Sequence, residues 1–133
     1  MKQKIDFQDN FNPQSILLHN ERAPVFKEDY SRDLTDYYAS AFKFGRKKII
    51  HALEDWLVSI ADRSRILDVG CGPGYFLNLI KDKGWSIFGI DLSEQMLYRL
   101  KERNSAASVC IADAKRLPFA DNSFDGILSI ETI

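Results

Sequence analysis

A cluster of glycines between an apolar segment and a helical segment restricts this chain more than any other feature of its sequence. The apolar segment is residues 65–69, the cluster reads Gly70-Cys71-Gly72-Pro73-Gly74, and the helical segment begins at Tyr75. Glycine has no Cβ and takes positive φ at little cost, so such a turn lets the backbone approach a ligand closely. The helix that follows directs its first N–H groups toward that ligand. The segment therefore predicts a strand, a ligand-facing turn and a helix, but leaves the ligand open.

Strands and helices alternate from this turn onward. Short apolar runs predict four strands, at residues 65–69, 85–90, 108–112 and 124–130. Helices are predicted at residues 75–83, with Gly84 just beyond, and from Glu94 to about residue 103, with Ser93 as N-cap. Strands that alternate with helices at this spacing form βαβ units and a parallel sheet. The predicted fold class is therefore α/β and Rossmann-like, with ligand loops at the carboxyl ends of the strands.

The beginning of the chain has a different character. Positions 1–44 contain eight of the 16 aromatic residues, interleaved with Asn, Asp and Pro. Because no sustained period is visible before about residue 33, residues 1–32 are predicted to be an irregular arm. Helices are predicted over residues 34–44 and, from apolar residues at helical spacing, over residues 47–60. We expect an N-terminal arm or lid at 1–44, partly helical, and a core domain at 45–133.

Charge balance and cysteine content exclude several classes of function. The 133 residues carry a net charge of -1, whereas a bulk footprint for nucleic acid or anionic lipid is basic. No apolar run approaches the roughly 18 residues that a membrane span needs. Asp6 and Asp9 stand where a signal peptide would be apolar. Cys71 and Cys110 are too few for a disulfide framework or a metal cluster. We expect a cytoplasmic protein that binds no metal.

The details of the glycine turn argue against a phosphate-bearing ligand. A dinucleotide fingerprint requires G-x-G-x-x-G, but Tyr75 stands where the third glycine belongs. Pro73 removes one N–H from the turn, and the carboxylate of Asp68 would repel a pyrophosphate. No Gly-Lys-Ser/Thr follows, so the phosphate-binding loop of nucleotide hydrolases is absent as well. A nicotinamide-dependent oxidoreductase is therefore disfavoured.

Three carboxylates favour a cationic cofactor instead. Asp68, Asp91 and Asp113 lie at or near the ends of the first three predicted strands, and Asp91 follows Gly70 by 21 residues. S-adenosylmethionine carries a sulfonium, an ammonium and one carboxylate, so acidic residues attract it. A carboxylate at Asp91 suits the two ribose hydroxyls, and one at Asp113 can accept from the exocyclic amine of adenine. The charge pattern favours S-adenosylmethionine over NAD.

Three ordered motifs carry a family resemblance over about residues 45–133. Residues 66–74, Ile-Leu-Asp-Val-Gly-Cys-Gly-Pro-Gly, closely resemble motif I of the class I S-adenosylmethionine-dependent methyltransferases. Residues 89–93 with Met96 resemble the segment that follows it. Residues 112–114 and 117–125 resemble the stretch typical of the methyltransferase type 11 group. The resemblance implies a three-layer Rossmann-like sandwich with a seven-stranded sheet in the order 3-2-1-4-5-7-6, of which this chain supplies strands 3-2-1-4.

The resemblance also implies roles for individual residues. The methionine end of the cofactor would be held by Asp68 and by the glycine loop, namely Gly70, Cys71, Gly72 and Gly74. Asp91 would bind the ribose hydroxyls, and Leu92 and Met96 would pack on the adenine. Asp113 and the Ala114 amide would bind the polar edge of the adenine. Ser129 or Ile130, at the end of the fourth strand, would lie beside the methionyl group.

Simpler interpretations remain open for several of these residues. Asp68 can cap the following helix, and Cys71 is favoured as a small packing residue rather than a nucleophile. Leu92 and Met96 can be core residues of their helix. Asp125 precedes the fourth strand, at the edge of the sheet away from the chemistry, and is interpreted as structural.

The predicted function is methyl transfer from S-adenosylmethionine by in-line displacement, to an acceptor that these motifs do not specify. No residue stands out as a general base. The alternative is a non-catalytic module that keeps the cofactor fold for partner binding. The sequence stops within the fourth strand, so we expect a truncated form of a methyltransferase with little turnover. The unpaired edge formed by Ile127, Leu128 and Ile130 is expected to favour self-association.

Overall fold

The computed structural model describes residues 13–22 and 37–132. Within these ranges, four helices and four strands follow one another along the chain. The helices are α1 (Pro13–Arg22), α2 (Tyr37–Val58), α3 (Tyr75–Ile80) and α4 (Glu94–Arg103). The strands are β1 (Arg65–Val69), β2 (Ser86–Asp91), β3 (Ser108–Ile111) and β4 (Gly126–Leu128). None of these helices is both long and apolar enough to cross a membrane.

The four strands form one sheet in the order β3-β2-β1-β4, and all three pairings are parallel. The predicted order 3-2-1-4 and the Rossmann-like class are therefore confirmed. Because all strands run the same way, their carboxyl ends meet at one edge of the sheet. That edge carries the glycine loop, and the opposite edge is called the amino edge below.

One face of the sheet is covered by helices. Leu53 and Leu57 of α2 and Ile80 of α3 form a buried cluster with Ile66 of β1 and Leu128 of β4. A second cluster joins α3 to α4 beside the sheet.

On the other face, the connection between β3 and β4 covers part of the sheet. Phe119 and Phe124 pack edge to face, with ring centroids 4.8 Å apart. Both aromatics lie against the buried strand residues Leu67 and Ile90. Ile127, on β4, is 56% exposed.

Two expectations about the N-terminal part are wrong. Residues 13–22 form a helix where an irregular arm was predicted, and this helix docks on α4 through Asn20. One continuous helix over Tyr37–Val58 replaces the two predicted helices and runs across the proposed division at residues 44/45. Gly45 lies inside it, where an interior glycine costs only about 1 kcal/mol. The rest of the predicted arm, residues 1–12 and 23–32, lies outside the described residues.

Candidate functional site

The loop of residues 70–74 is anchored to the end of the neighbouring strand. The amide groups of Gly70 and Cys71 both donate to the carbonyl oxygen of Ile90, at 2.8 and 2.9 Å. The amide of Gly74 donates to the Cys71 carbonyl at 2.9 Å, which closes the turn before α3. The loop is therefore a fixed structure at the carboxyl edge of the sheet.

The three glycines of this loop all have positive φ but face different surroundings. Their φ values are +73° at Gly70, +50° at Gly72 and +82° at Gly74. A Cβ at Gly70 would overlap the side chain of Thr132, and one at Gly74 would lie 2.7 Å from Leu100 Cγ. A Cβ at Gly72 would meet no atom of the described residues within 4 Å. Gly70 and Gly74 are therefore required by packing, whereas Gly72 opens onto free space.

Asp68 is a buried carboxylate that lacks a partner on one oxygen. Its side chain is 2% exposed, and its Oδ2 atom is buried with no hydrogen-bond partner among the described residues. Burial, with a contribution from the carboxylate of Asp91, raises the pKa of Asp68 from 3.8 to about 7. Leaving such a group unsatisfied is costly unless a ligand completes it.

Asp91, the last residue of β2, is held on both of its oxygens. Oδ2 accepts from the Gly72 amide at 2.8 Å, and Oδ1 accepts from the Ser93 amide at 2.8 Å. These two hydrogen bonds tie the glycine loop to the turn before α4. An ionised carboxylate has about four lone-pair sites, so Asp91 retains acceptor capacity for a ligand.

The remaining predicted adenosine contacts lie around the ends of β2 and β3. Asp113 is half-buried and accepts from the Lys115 amide at 2.9 Å through Oδ1, and Ala114 is exposed. Leu92 is half-buried and offers apolar surface. Met96 is only 1% exposed, so its side chain belongs to the core beneath α4. Ser129, which was predicted to lie beside the methionyl group instead, is exposed and directly follows β4.

The side chain of Cys71 points from the glycine loop toward β2. It is buried, and a Cβ at Gly89 in β2 would come within 2.7 Å of its sulfur, so the thiol fills the space that this glycine leaves. Burial raises the pKa of the Cys71 thiol above its usual range. The thiol stays protonated and packed, which favours the interpretation of Cys71 as a small packing residue.

Two residues near the site were missed by the sequence analysis. The Thr132 hydroxyl donates to the Val69 carbonyl at 2.8 Å, and its side chain occupies the space beside Gly70. Asn20 of α1 accepts a hydrogen bond from the Ser93 hydroxyl. Neither residue lies in a motif, and both reach the site from distant parts of the chain, so local pattern carries no signal for them.

The guanidinium group of Arg46, in α2, lies over the ring of Tyr75. Its guanidinium carbon is 5.0 Å from the ring centroid. This contact places α2 next to the first residue of α3, directly after the glycine loop.

Comparison with known proteins identifies the family of this arrangement. The sequence profile described as "Methyltransferase domain" matches residues 67–133. The malonyl-[acyl-carrier protein] O-methyltransferase of Hamiltonella defensa is 38% identical over 63 residues, which are 47% of this chain and 24% of that protein. A tRNA (carboxymethyluridine(34)-5-O)-methyltransferase of Xenopus tropicalis is 32% identical over 111 residues, which are 84% of this chain and 17% of that protein. The chain thus spans a quarter or less of the length of these relatives.

A solved structure shows the same fold over most of the chain. The magnesium protoporphyrin IX methyltransferase of Synechocystis, crystallised with bound SAH, superposes with a TM-score of 0.68 at 15% identity. The match covers 88% of this chain and 58% of that protein. At this identity the likeness concerns the fold.

Proposed function

Because this chain belongs to the class I S-adenosylmethionine-dependent methyltransferases, we propose that the carboxyl edge of its sheet binds S-adenosylmethionine for methyl transfer. The observation that carries the proposal is Asp68, a buried carboxylate two residues before the glycine loop, with one oxygen that has no partner among the described residues. A buried carboxylate of this kind is completed best by a cationic donor. S-adenosylmethionine carries two cationic groups.

The methionine end of the cofactor is assigned to Asp68 and the glycine loop. The amides of Gly70, Cys71 and Gly72 already donate within the fold. The loop therefore contributes its open shape and its carbonyl oxygens, which suit the ammonium, while Asp68 supplies the charge. The side-chain-free surface at Gly72 leaves room for a ligand at the loop.

The ribose is assigned to Asp91. Its carboxylate is fixed by two amide groups, so it meets the ligand without first losing side-chain freedom. Two hydroxyls of a ribose can both donate to such a carboxylate. This geometry favours a nucleoside over a ligand that lacks adjacent hydroxyls.

The adenine is assigned to Asp113, Ala114 and Leu92. Asp113 is held by the Lys115 amide and can accept from the exocyclic amine, and Leu92 supplies an apolar surface. Met96 supports this surface from beneath rather than contacting the ring, because its side chain is buried. Ser129, beyond β4, is assigned to the side of the methionyl group.

The chemistry of transfer requires little from these residues beyond placement. The bound sulfonium supplies an activated methyl group and a good leaving group. The chain fixes the two ends of the cofactor at Asp68 and Asp91, which sets the direction in which the methyl group faces. No general base is assigned, because a base is needed only for an acceptor whose proton has a high pKa. The two relatives named above act on different acceptors, and the acceptor is left open.

Calorimetric titration of the chain with S-adenosylmethionine, S-adenosylhomocysteine and NAD tests the proposal. We expect binding of the first two and none of NAD. A radiolabelled methyl donor with candidate acceptors then tests transfer itself. Binding without transfer to any acceptor would favour the non-catalytic module. Absence of binding to both adenosyl ligands, with the fold intact by circular dichroism, would overturn the proposal.

A further inference from the structure

A chain of hydrogen bonds joins the N-terminal helix α1 to the glycine loop. Asn20 Oδ1 accepts from the Ser93 hydroxyl. The Ser93 amide donates to Asp91 Oδ1 at 2.8 Å, and Asp91 Oδ2 accepts from the Gly72 amide at 2.8 Å. Four residues are therefore connected: one in α1, the N-cap of α4, the last residue of β2 and one in the loop. Asn20 and Ser93 are separated by 73 positions in the sequence.

Asn20 determines how the Ser93 hydroxyl is oriented. Ser93 is only 1% exposed. As the N-cap of α4, its hydroxyl oxygen accepts from the Met96 amide at 3.2 Å. A hydroxyl has one hydrogen to donate, and here Asn20 receives it. Without that acceptor the hydrogen of a buried hydroxyl has no partner in this arrangement, and the hydroxyl gains freedom to turn away from the Met96 amide.

The effect reaches Asp91 through the backbone of the same residue. Ser93 is both the N-cap of α4 and the donor to Asp91, so a change in its cap alters the turn that holds the carboxylate. The Gly72 amide holds Oδ2 of Asp91 but makes no contact with Oδ1, which is held by the Ser93 amide. The position of the carboxylate assigned to the ribose thus depends on α1.

We propose that Asn20 is a positioning residue for the ribose site, and that docking of α1 on α4 and binding of the cofactor are coupled. This inference rests on the proposed function and goes beyond it, because it makes the N-terminal helix part of the cofactor site. Thermodynamic coupling is reciprocal. Cofactor binding therefore stabilises α1, and α1 strengthens cofactor binding.

The test compares three variants with S-adenosylhomocysteine and with 5′-methylthioadenosine, which lacks the amino-acid end. Asn20→Ala should weaken both ligands by the same factor, roughly three- to tenfold, because the lost contact acts through the ribose site. Asn20→Asp keeps the acceptor oxygen and should restore affinity. Leu17→Ala removes an exposed side chain from the same helix and should leave affinity unchanged. Hydrogen exchange of the α1 amides should slow on ligand addition in the wild type but not in Asn20→Ala.

Each outcome decides the proposal. If Asn20→Ala binds with wild-type affinity, Asn20 is only a structural contact and the inference is overturned. The same conclusion holds if only the melting temperature of this variant falls. An equal loss in Leu17→Ala, or exchange in α1 that does not respond to ligand in the wild type, overturns it too. If the wild type binds neither ligand, the proposed function fails with it. Normal wild-type binding with an unaffected Asn20→Ala overturns the inference alone.

Discussion

At the amino edge of the sheet the Asp125 carboxylate accepts from the Arg65 amide at 2.8 Å. At the carboxyl edge, by contrast, Asp68 has one buried oxygen with no partner within residues 13–22 and 37–132. Asp125 returns its own amide to the Arg65 carbonyl at 2.8 Å, so the starts of β1 and β4 are joined twice. Its side chain is 54% exposed, whereas Asp68 is a buried residue. One carboxylate is paired and solvated, and the other is buried with one oxygen unpartnered among the described residues.

The carboxylate at the amino edge stabilises the fold, whereas the carboxylate at the carboxyl edge lowers the free energy of unfolding. A solvated carboxylate with a backbone partner is inexpensive to keep ionised, whereas an unsatisfied buried carboxylate destabilises the folded state. A ligand that supplies a cation recovers that cost as binding free energy. The same residue type therefore stabilises the sheet at one edge, whereas at the other it leaves a buried carboxylate that a cationic ligand would complete.

The largest expected effect comes from matched glycine substitutions at the two edges. Gly72 has φ +50° and Gly84 has φ +77°, and a Cβ at either position meets no atom within 4 Å in the part of the chain that the structure describes. Valine should cost a similar backbone strain at both, about 1–3 kcal/mol of the free energy of unfolding. Only Gly72→Val should abolish detectable binding of S-adenosylhomocysteine, because its side chain fills the open space of the loop.

Calorimetry for affinity and thermal unfolding for stability check this pair. Equal affinities of the two variants would contradict the assignment of the glycine loop to the ligand.

Replacing Asp68 should change stability and affinity in opposite directions. Below pH 3.8, Asp68 is protonated in both the folded and the unfolded state. Between pH 3.8 and about 7, only the folded state keeps this proton. The free energy of unfolding therefore falls as the pH rises through this range. Asp68→Asn has no ionisable group at this position, so its free energy of unfolding should not show this fall. We expect it to stabilise the unliganded protein by on the order of 2–4 kcal/mol at pH 8, with little effect near pH 4. Affinity for S-adenosylmethionine should fall by a similar amount.

The same group predicts a pH dependence of binding. Because the cationic ligand requires the ionised carboxylate, wild-type affinity should rise with pH by up to about tenfold per unit until about pH 7 and then level off. The Asp68→Asn variant should show a flat profile. Titrations at several pH values, with denaturant unfolding in parallel, check both statements, and a variant that is less stable than wild type at pH 8 would contradict the account.

Asp91→Ala should have an intermediate effect. It removes the proposed acceptor for two hydroxyls and releases the amides of Gly72 and Ser93, so affinity for S-adenosylhomocysteine should fall by about 1–3 kcal/mol. Asp121→Ala, which removes an exposed carboxylate from the β3–β4 connection, is the control and should leave affinity unchanged. Unchanged affinity in Asp91→Ala would exclude the ribose role.

The smallest expected effect lies at the amino edge. Asp125→Ala removes the acceptor for the Arg65 amide and an ion-pair partner 3.9 Å from Arg65 Nε. Because the site is exposed, we expect a loss of about 1 kcal/mol in the free energy of unfolding and no change in ligand affinity. Denaturant unfolding and calorimetry measure the two quantities, and a loss of affinity here would mean that the two edges are not separate.

Prediction from the sequence succeeded where the signal was local. The strands at residues 65–69 and 108–111 and the N-cap at Ser93 agree with their predictions to within a residue. It failed for α1 and for the continuity of α2. The reason is that α1 lacks a clear apolar period and docks through a distant partner, and Gly45 interrupts the pattern of α2 without interrupting the helix.

The sequence by itself determined the parallel α/β class, the glycine loop and the three carboxylates at the ends of the strands, because these depend on periodicity, on glycine's freedom and on the geometry of parallel strands. The order of the strands came from the family resemblance of the motifs. Only the tertiary structure decided the state of each carboxylate. Burial leaves Asp68 unsatisfied, two amides fix Asp91, and Asn20 reaches Ser93 from 73 positions away. Solvation and hydrogen-bond partners depend on which distant segments pack together, and a local sequence pattern does not contain that information.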